Sequence, residues 1–119
     1  MKLPIIKYSD KFLKVITRSN SVNGITIWPY IILKEKYLNN DYYKSKLDIL
    51  INHESIHIKQ QQELLVIPFY IWYFTEWFIR LFFKGNAYRN ISFEKEAYDN
   101  QANLDYLKTR KFYSFLKYI

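Results

Sequence analysis

A chain of 119 residues can bury one hydrophobic core and falls short of what two ordinary domains need, so residues 1–119 are expected to form a single domain. Half of the residues are hydrophobic and a fifth are aromatic, which excludes a disordered chain, and the absence of cysteine removes disulfides, thiolate ligands and thiol nucleophiles. The net charge of +7 favours anionic partners, yet no DNA- or RNA-binding motif accompanies it, so nucleic acid is not an expected partner.

The stretch from Met1 to Asp10 has neither a sustained apolar run nor a small-residue cleavage site. It therefore does not read as a secretory leader, and a cytoplasmic location is the default expectation. Phe12 to Thr17 predicts a strand, Ser19 to Gly24 the turn after it, and Ile25 to Leu33 a second, more apolar strand. Pro29 lacks an N–H and suits an edge position in that second strand. Together the two strands predict an N-terminal β-hairpin. It either covers the helices or offers an edge to a ligand.

From about Tyr42 to Leu65 the pattern becomes helical, with Leu47, Leu50, Ile51 and Ile58 on one stripe and Asp41 as the expected cap. Gln60, Gln61 and Gln62 follow near the end of this helix, and Gln61, one turn after His57, reads as solvated surface, with a polar contact behind the site or to substrate as the alternative. Leu64 to Phe83 holds sixteen apolar residues in twenty. Pro68 suits the first turn of a new helix, and Pro68 to Phe83 would span about 24 Å against a hydrocarbon core of about 30 Å. A helix buried on one side and apolar on the other is expected, lying in a membrane interface or a partner's groove, with a wholly internal helix as the alternative. Glu76 and Arg80 are spaced to pair on it. Gly85-Asn86 predicts a turn, Ser92 an N-cap, and the following residues a helix to about Leu107. Phe112, Phe115, Leu116 and Ile119 form a stripe expected to dock on the core. The basic residues at the two ends, Lys7, Lys11, Lys14 and Arg18 and then Lys108, Arg110, Lys111 and Lys117, read as solvated surface.

Both histidines of the chain lie in His53-Glu54-Ser55-Ile56-His57. Residues four apart share a helix face, so two imidazoles can converge on one ion, while Glu54 sits about 100° round the helix, where it can act as a base on water. Random placement would give two histidines at this spacing, followed by an acid, in roughly one or two of a thousand such chains. A tetrahedral catalytic zinc takes three protein ligands and keeps a fourth position open. With no cysteine and no third histidine the remaining ligand must be Asp or Glu, and the richest acidic cluster is Ser92-Phe93-Glu94-Lys95-Glu96-Ala97-Tyr98-Asp99. A membrane crossing between His57 and this cluster would separate the ligands, which argues against a span.

The HExxH run followed by Phe93-Glu94-Lys95-Glu96-Ala97 resembles the gluzincin metallopeptidases, whose third ligand is a glutamate on a later helix in a Glu-x-x-Ala-Asp motif. The motif's aspartate falls on Tyr98, and Asp99 comes one residue late. The run His53 to Gln60, HExxHxxQ, is also similar to small HExxHxxQ proteins of Bacteroidetes-type genomes. The resemblance implies an α+β, mostly helical, minimal zincin-like domain holding Zn2+ through His53, His57 and Glu94. It also implies a metallopeptidase activity with Glu54 as the base, a peptide or protein substrate, and an edge strand beside the zinc helix on which a peptide lies. Glu96, flanked by Lys95, would then be solvated, and Tyr88, Arg89 and Tyr98 are the candidates to stabilise an oxyanion. The alternative is a non-catalytic, zinc-stabilised binding module at a membrane surface or protein partner, with residues 68–83 as the peripheral membrane contact. Glu54 argues for catalysis, because a purely structural site does not need it.

Overall fold

A computed structural model describes residues 4–119. The part of the leader reading that rests on Met1, Lys2 and Leu3 lies outside the described residues. The fold is α+β: a small three-stranded sheet near the N-terminus, followed by helices.

The sheet runs β1 (Ile5–Tyr8), β3 (Tyr30–Leu33), β2 (Gly24–Ile27) from edge to edge. β1 pairs parallel with β3, Ile5 opposite Tyr30 and Tyr8 opposite Leu33, and β2 pairs antiparallel with it, Gly24 opposite Leu33 and Ile27 opposite Tyr30. The unbroken apolar run Ile31-Ile32-Leu33 suits the central strand, and all three side chains are buried. The predicted single strand Ile25 to Leu33 is thus two strands folded back at Trp28-Pro29, where proline terminates pairing without leaving a ladder donor unmet.

The predicted strand Phe12 to Thr17 is instead helix α1 (Asp10–Thr17). The Ser9 hydroxyl accepts from the Phe12 N–H at 3.1 Å, Asp10 adds negative charge to the first turn, and Arg18 closes the helix in the left-handed region at φ 56°. Capping outweighs the β-branched preference of Val15, Ile16 and Thr17. α1 packs on β3 through Leu13.

α2 (Lys44–Leu64) carries the HExxH run in its centre. Asp41 does not cap it: Asp41–Tyr43 form a separate 3-10 turn, whose first residue is capped by Asn40. Leu47, Leu50, Ile51 and Ile58 pack against Ile31 and Leu33. Only Leu65 separates α2 from α3 (Val66–Arg80). Its φ of 67° and ψ of 159° lie in a region that residues with a Cβ rarely adopt, at about 1–3 kcal/mol, and the sharp reversal folds α3 back over the face of α2 that carries His57. Pro68 falls in the first turn of α3, where its missing N–H has no partner to lose. No helix among the described residues is long and apolar enough to cross a membrane.

α4 (Ser92–Asn100) is pinned at both ends. Glu76 of α3 accepts from the Ser92 N–H at 2.8 Å and from its hydroxyl, so the carboxylate of another helix caps α4 and the Ser92 side chain does not. Glu76 is therefore not paired with Arg80 among the described residues. At the other end, the Asn52 amide donates to the carbonyls of Asn100, Gln101 and Asn103. α4 consequently stops at Asn100 rather than Leu107, and a short α5 (Tyr106–Thr109) follows. A second apolar cluster of Phe69, Ile91, Phe93 and Phe115 packs α3 on α4. Of the C-terminal stripe only Phe115 is buried; Leu116 is exposed on the same 3-10 turn, Ser114–Tyr118, and Phe112 and Ile119 are exposed on either side of it, so no continuous α-helix holds the four on one face.

Candidate metal centre

The centre of α2 and the first turn of α4 meet between the two apolar clusters. Glu94 Oε1 lies 3.2 Å from His53 Nε2 and 3.2 Å from His57 Nε2, all three side chains being buried. For ligands held about 2.0–2.1 Å from a tetrahedral ion, adjacent donor atoms sit about 3.3 Å apart. These three residues could hold a metal ion.

The outer nitrogens of the two rings decide what the inner ones can do. His57 Nδ1 faces Gln60 Oε1 at 2.7 Å, and His53 Nδ1 faces Gln101 Oε1 at 2.8 Å. The Gln60 amide cannot turn round, because its nitrogen donates to the Phe93 carbonyl at 3.1 Å and to Glu96 Oε1 at 2.9 Å. His57 Nδ1 must therefore donate to the Gln60 oxygen, and the Gln101 oxygen facing His53 Nδ1 suits the same role there, so that a ring donating through Nδ1 alone offers the lone pair of Nε2. Three acceptors then point at one another. A cation resolves that arrangement, and two imidazole nitrogens with one carboxylate oxygen are a donor set suited to zinc. In the ion-free chain a proton takes its place: burial lowers the His57 pKa, but the adjacent Glu94 charge outweighs burial and pushes it up to about 9. Burial likewise acts to raise the Glu94 carboxyl, and the two histidines overcome it, holding it well below the usual range.

Tyr73 of α3 donates to Glu94 Oε2 at 2.6 Å and fixes the carboxylate from the side away from the histidines. Burial, with the Glu94 charge beside it, keeps the Tyr73 phenol protonated far above its ordinary value. Glu54 sits between α2 and β2, where the Thr26 hydroxyl donates to its Oε2 at 2.6 Å. A Cβ at Gly24 would stand 2.7 Å from Leu33 Cδ2 on the neighbouring strand, and only 3.7 Å, an ordinary contact, from Glu54 Oε1. Glu54, His57 and Glu94 line one cleft of about 760 Å³, whose other walls are mainly apolar residues of α1, β2 and α3.

Several expectations fail here for identifiable reasons. Glu96, read as solvated, is fully buried: it accepts from Arg110 Nε at 2.5 Å, from Tyr106 at 2.6 Å and from Gln60. Arg110, read as surface charge, is buried with it and also donates to Glu63 at 2.7 and 3.1 Å. Gln61, read as surface, is buried, accepting from the Trp28 N–H at 2.7 Å and donating to the Thr26 carbonyl at 3.0 Å. β2 does lie at the sheet's edge beside α2, but its Thr26 carbonyl and Trp28 N–H are already taken by Gln61 and Tyr70. Tyr98, at the position of the motif's aspartate, packs its ring against His53 at 4.5 Å, and the Arg89 guanidinium carbon lies 3.7 Å from the Tyr98 ring centroid. The Tyr88 hydroxyl meets that of Tyr98 at 3.1 Å, and Tyr88 also lines the cleft.

The sequence reading missed Thr26, Gln60, Gln101 and Tyr73. Only Gln60 carried a local signal, its i+3 spacing from His57; the other three come from separate elements brought in by folding. Comparison of the chain with protein-family models, curated proteins and solved structures gave no match.

Proposed function

We propose that the chain is a zinc-dependent hydrolase of the gluzincin type, acting as a peptidase, with His53, His57 and Glu94 as ligands and Glu54 as the base. The observation that carries this reading is the convergence of three buried acceptors, each held from behind, two of which, His57 and Glu94, line a cleft that Glu54 also lines. Three ligands rather than four favour a catalytic over a structural ion. When bound, zinc supplies Lewis-acid charge that polarises a carbonyl and acidifies water.

The remaining work falls to the protein. Gln60 and Gln101 hold the imidazoles in the tautomer that presents Nε2. Tyr73 holds Glu94. Thr26 keeps the Glu54 carboxylate facing the cleft, where it takes the proton of the attacking water and returns it to the leaving amine. The apolar walls exclude bulk water and favour substrates with large apolar side chains. Of Tyr88, Arg89 and Tyr98, Tyr88 is the one that lines the cleft, and its hydroxyl is the candidate to meet the developing oxyanion.

Elemental analysis of protein purified without added metal is expected to give about one zinc per chain. Glu54→Gln is expected to keep that zinc and abolish cleavage of a peptide library, because the amide cannot accept the proton. Absence of stoichiometric zinc together with no tight uptake on titration would overturn the reading.

A further inference from the structure

The cleft opens between α1 and α3, with exposed Ile16 on one lip and exposed Phe74 and Trp77 on the other. Both lips carry more apolar surface than their packing uses. On α3, Ile67, Ile71, Phe74 and Phe78 follow one another at i, i+4, i+7 and i+11 and form one stripe; Ile67 is 73 % exposed, Phe78 58 %, and Phe82 just beyond the helix 76 %. The opposite side of the same helix, through Phe69, Trp72 and Tyr73, already fills the second apolar cluster. α3 is therefore apolar on both sides and buries only one. On α1, Leu13 is buried while Phe12, Val15 and Ile16 are exposed. An exposed apolar surface of this extent marks an interaction site.

Charge identifies what the surface meets. Residues 11–34 and 64–93, which contain both lips except Asp10 at the start of α1, whose carboxylate accepts from the Glu35 N–H, hold seven of the eighteen Lys and Arg and one of the eleven Asp and Glu, a net +6 of the chain's +7. The rest of the chain balances eleven bases against ten acids. The one acid in the two segments, Glu76, is turned inward onto Ser92, whereas Lys11, Lys14, Arg18, Lys84 and Arg89 are exposed. A second copy of the same face would bring like charges together. We propose that the two lips form a docking surface for an anionic phospholipid bilayer, with α3 lying in the interface and the cleft opening onto the membrane. The stripe meets acyl chains, and the flanking Lys and Arg meet headgroups, the two signals that stable peripheral binding needs. α3, fifteen residues and about 22 Å long, lies along the interface rather than across it. The proposal extends the membrane contact expected of residues 68–83 to α1, and it does not depend on the identity of the bound ion.

Cosedimentation of the full chain with phosphatidylcholine vesicles, with and without phosphatidylglycerol, tests it. The chain is expected to bind the acidic vesicles at least roughly tenfold more tightly than the neutral ones, and less so as salt rises. Phe78→Ser with Phe82→Ser is expected to weaken that binding by roughly tenfold or more, leaving zinc content and the circular dichroism spectrum unchanged. Lys11→Glu with Lys14→Glu is expected to remove most of the preference for acidic lipid while sparing the fold. Indifference to acidic vesicles, binding that survives both pairs of substitutions, or burial of the face by self-association in sedimentation velocity would overturn it.

Discussion

Glu94 and Glu96 leave α4 two residues apart, and both end buried, but their surroundings are opposite in kind. Glu96 is met by donors on every side: the Arg110 guanidinium, the Tyr106 hydroxyl and the Gln60 amide. Burial acts to raise its pKa, and these donors hold it below the usual carboxylate value. Glu94 has one firm donor, Tyr73, and otherwise faces two imidazole nitrogens at 3.2 Å, to which a cation, or in the ion-free chain a proton on His57, must join it. A carboxylate whose donors are supplied by the protein is a structural joint. One whose neighbours are acceptors is a place for a cation. The two are coupled, because Gln60 spans from Glu96 to His57 and carries the rigidity of the ion pair into the metal centre.

Five substitutions test this contrast. Glu94→Gln is expected to weaken zinc binding by about a thousandfold or more in a competitive chelator titration, beyond the ~10–100-fold lost with an outer-shell partner. Near-wild-type affinity would mean that another group completes the site. Glu96→Gln is expected to act on stability instead, costing about 3 kcal/mol in urea unfolding of the metal-free protein. That is the low end for breaking a buried pair, because Arg110 keeps Glu63. If this substitution removed zinc and left unfolding unchanged, the two glutamates would exchange roles.

The joint itself is probed by Gln60→Ala and Gln101→Ala, each expected to weaken zinc binding by ~10–100-fold through loss of the imidazole's orienting partner. The loss should be greater at Gln60, which also ties His57 to Glu96. Equal and negligible effects would show that the tautomers are set in some other way. The smallest change is expected from Tyr73→Phe, about tenfold in zinc affinity, since cleft water can replace one hydrogen bond to Glu94 Oε2. Thermal unfolding with and without zinc gives an independent reading of all five, because binding to the folded state alone raises its stability.

Local chemistry made the long elements legible. The i, i+4 histidines and the apolar stripe of Leu47, Leu50, Ile51 and Ile58 announced α2, and the position of Pro68 announced the start of α3. The α+β class followed from the apolar N-terminal runs, although their division into strands was misread. Phe12 to Thr17 has the composition of a strand, and the Ser9 cap that makes it a helix lies outside that window. Glu96 and Arg110 looked like ordinary surface charges because their pairing spans fourteen residues, and Gln61 looked like surface because its partners are on β2, more than thirty residues earlier.

The sequence by itself determined which side chains could meet an ion: HExxH places two imidazoles on one helical face, and composition leaves a carboxylate as the third ligand. Tertiary structure decided which carboxylate faces the two histidines. On one helix, side chains two residues apart point about 200° from each other, so only one of Glu94 and Glu96 can face His53 and His57. The rotation of α4 selects Glu94, fixed by Glu76 of α3 at one end and Asn52 of α2 at the other, because a buried helix end is stable only where its unpaired backbone groups find partners.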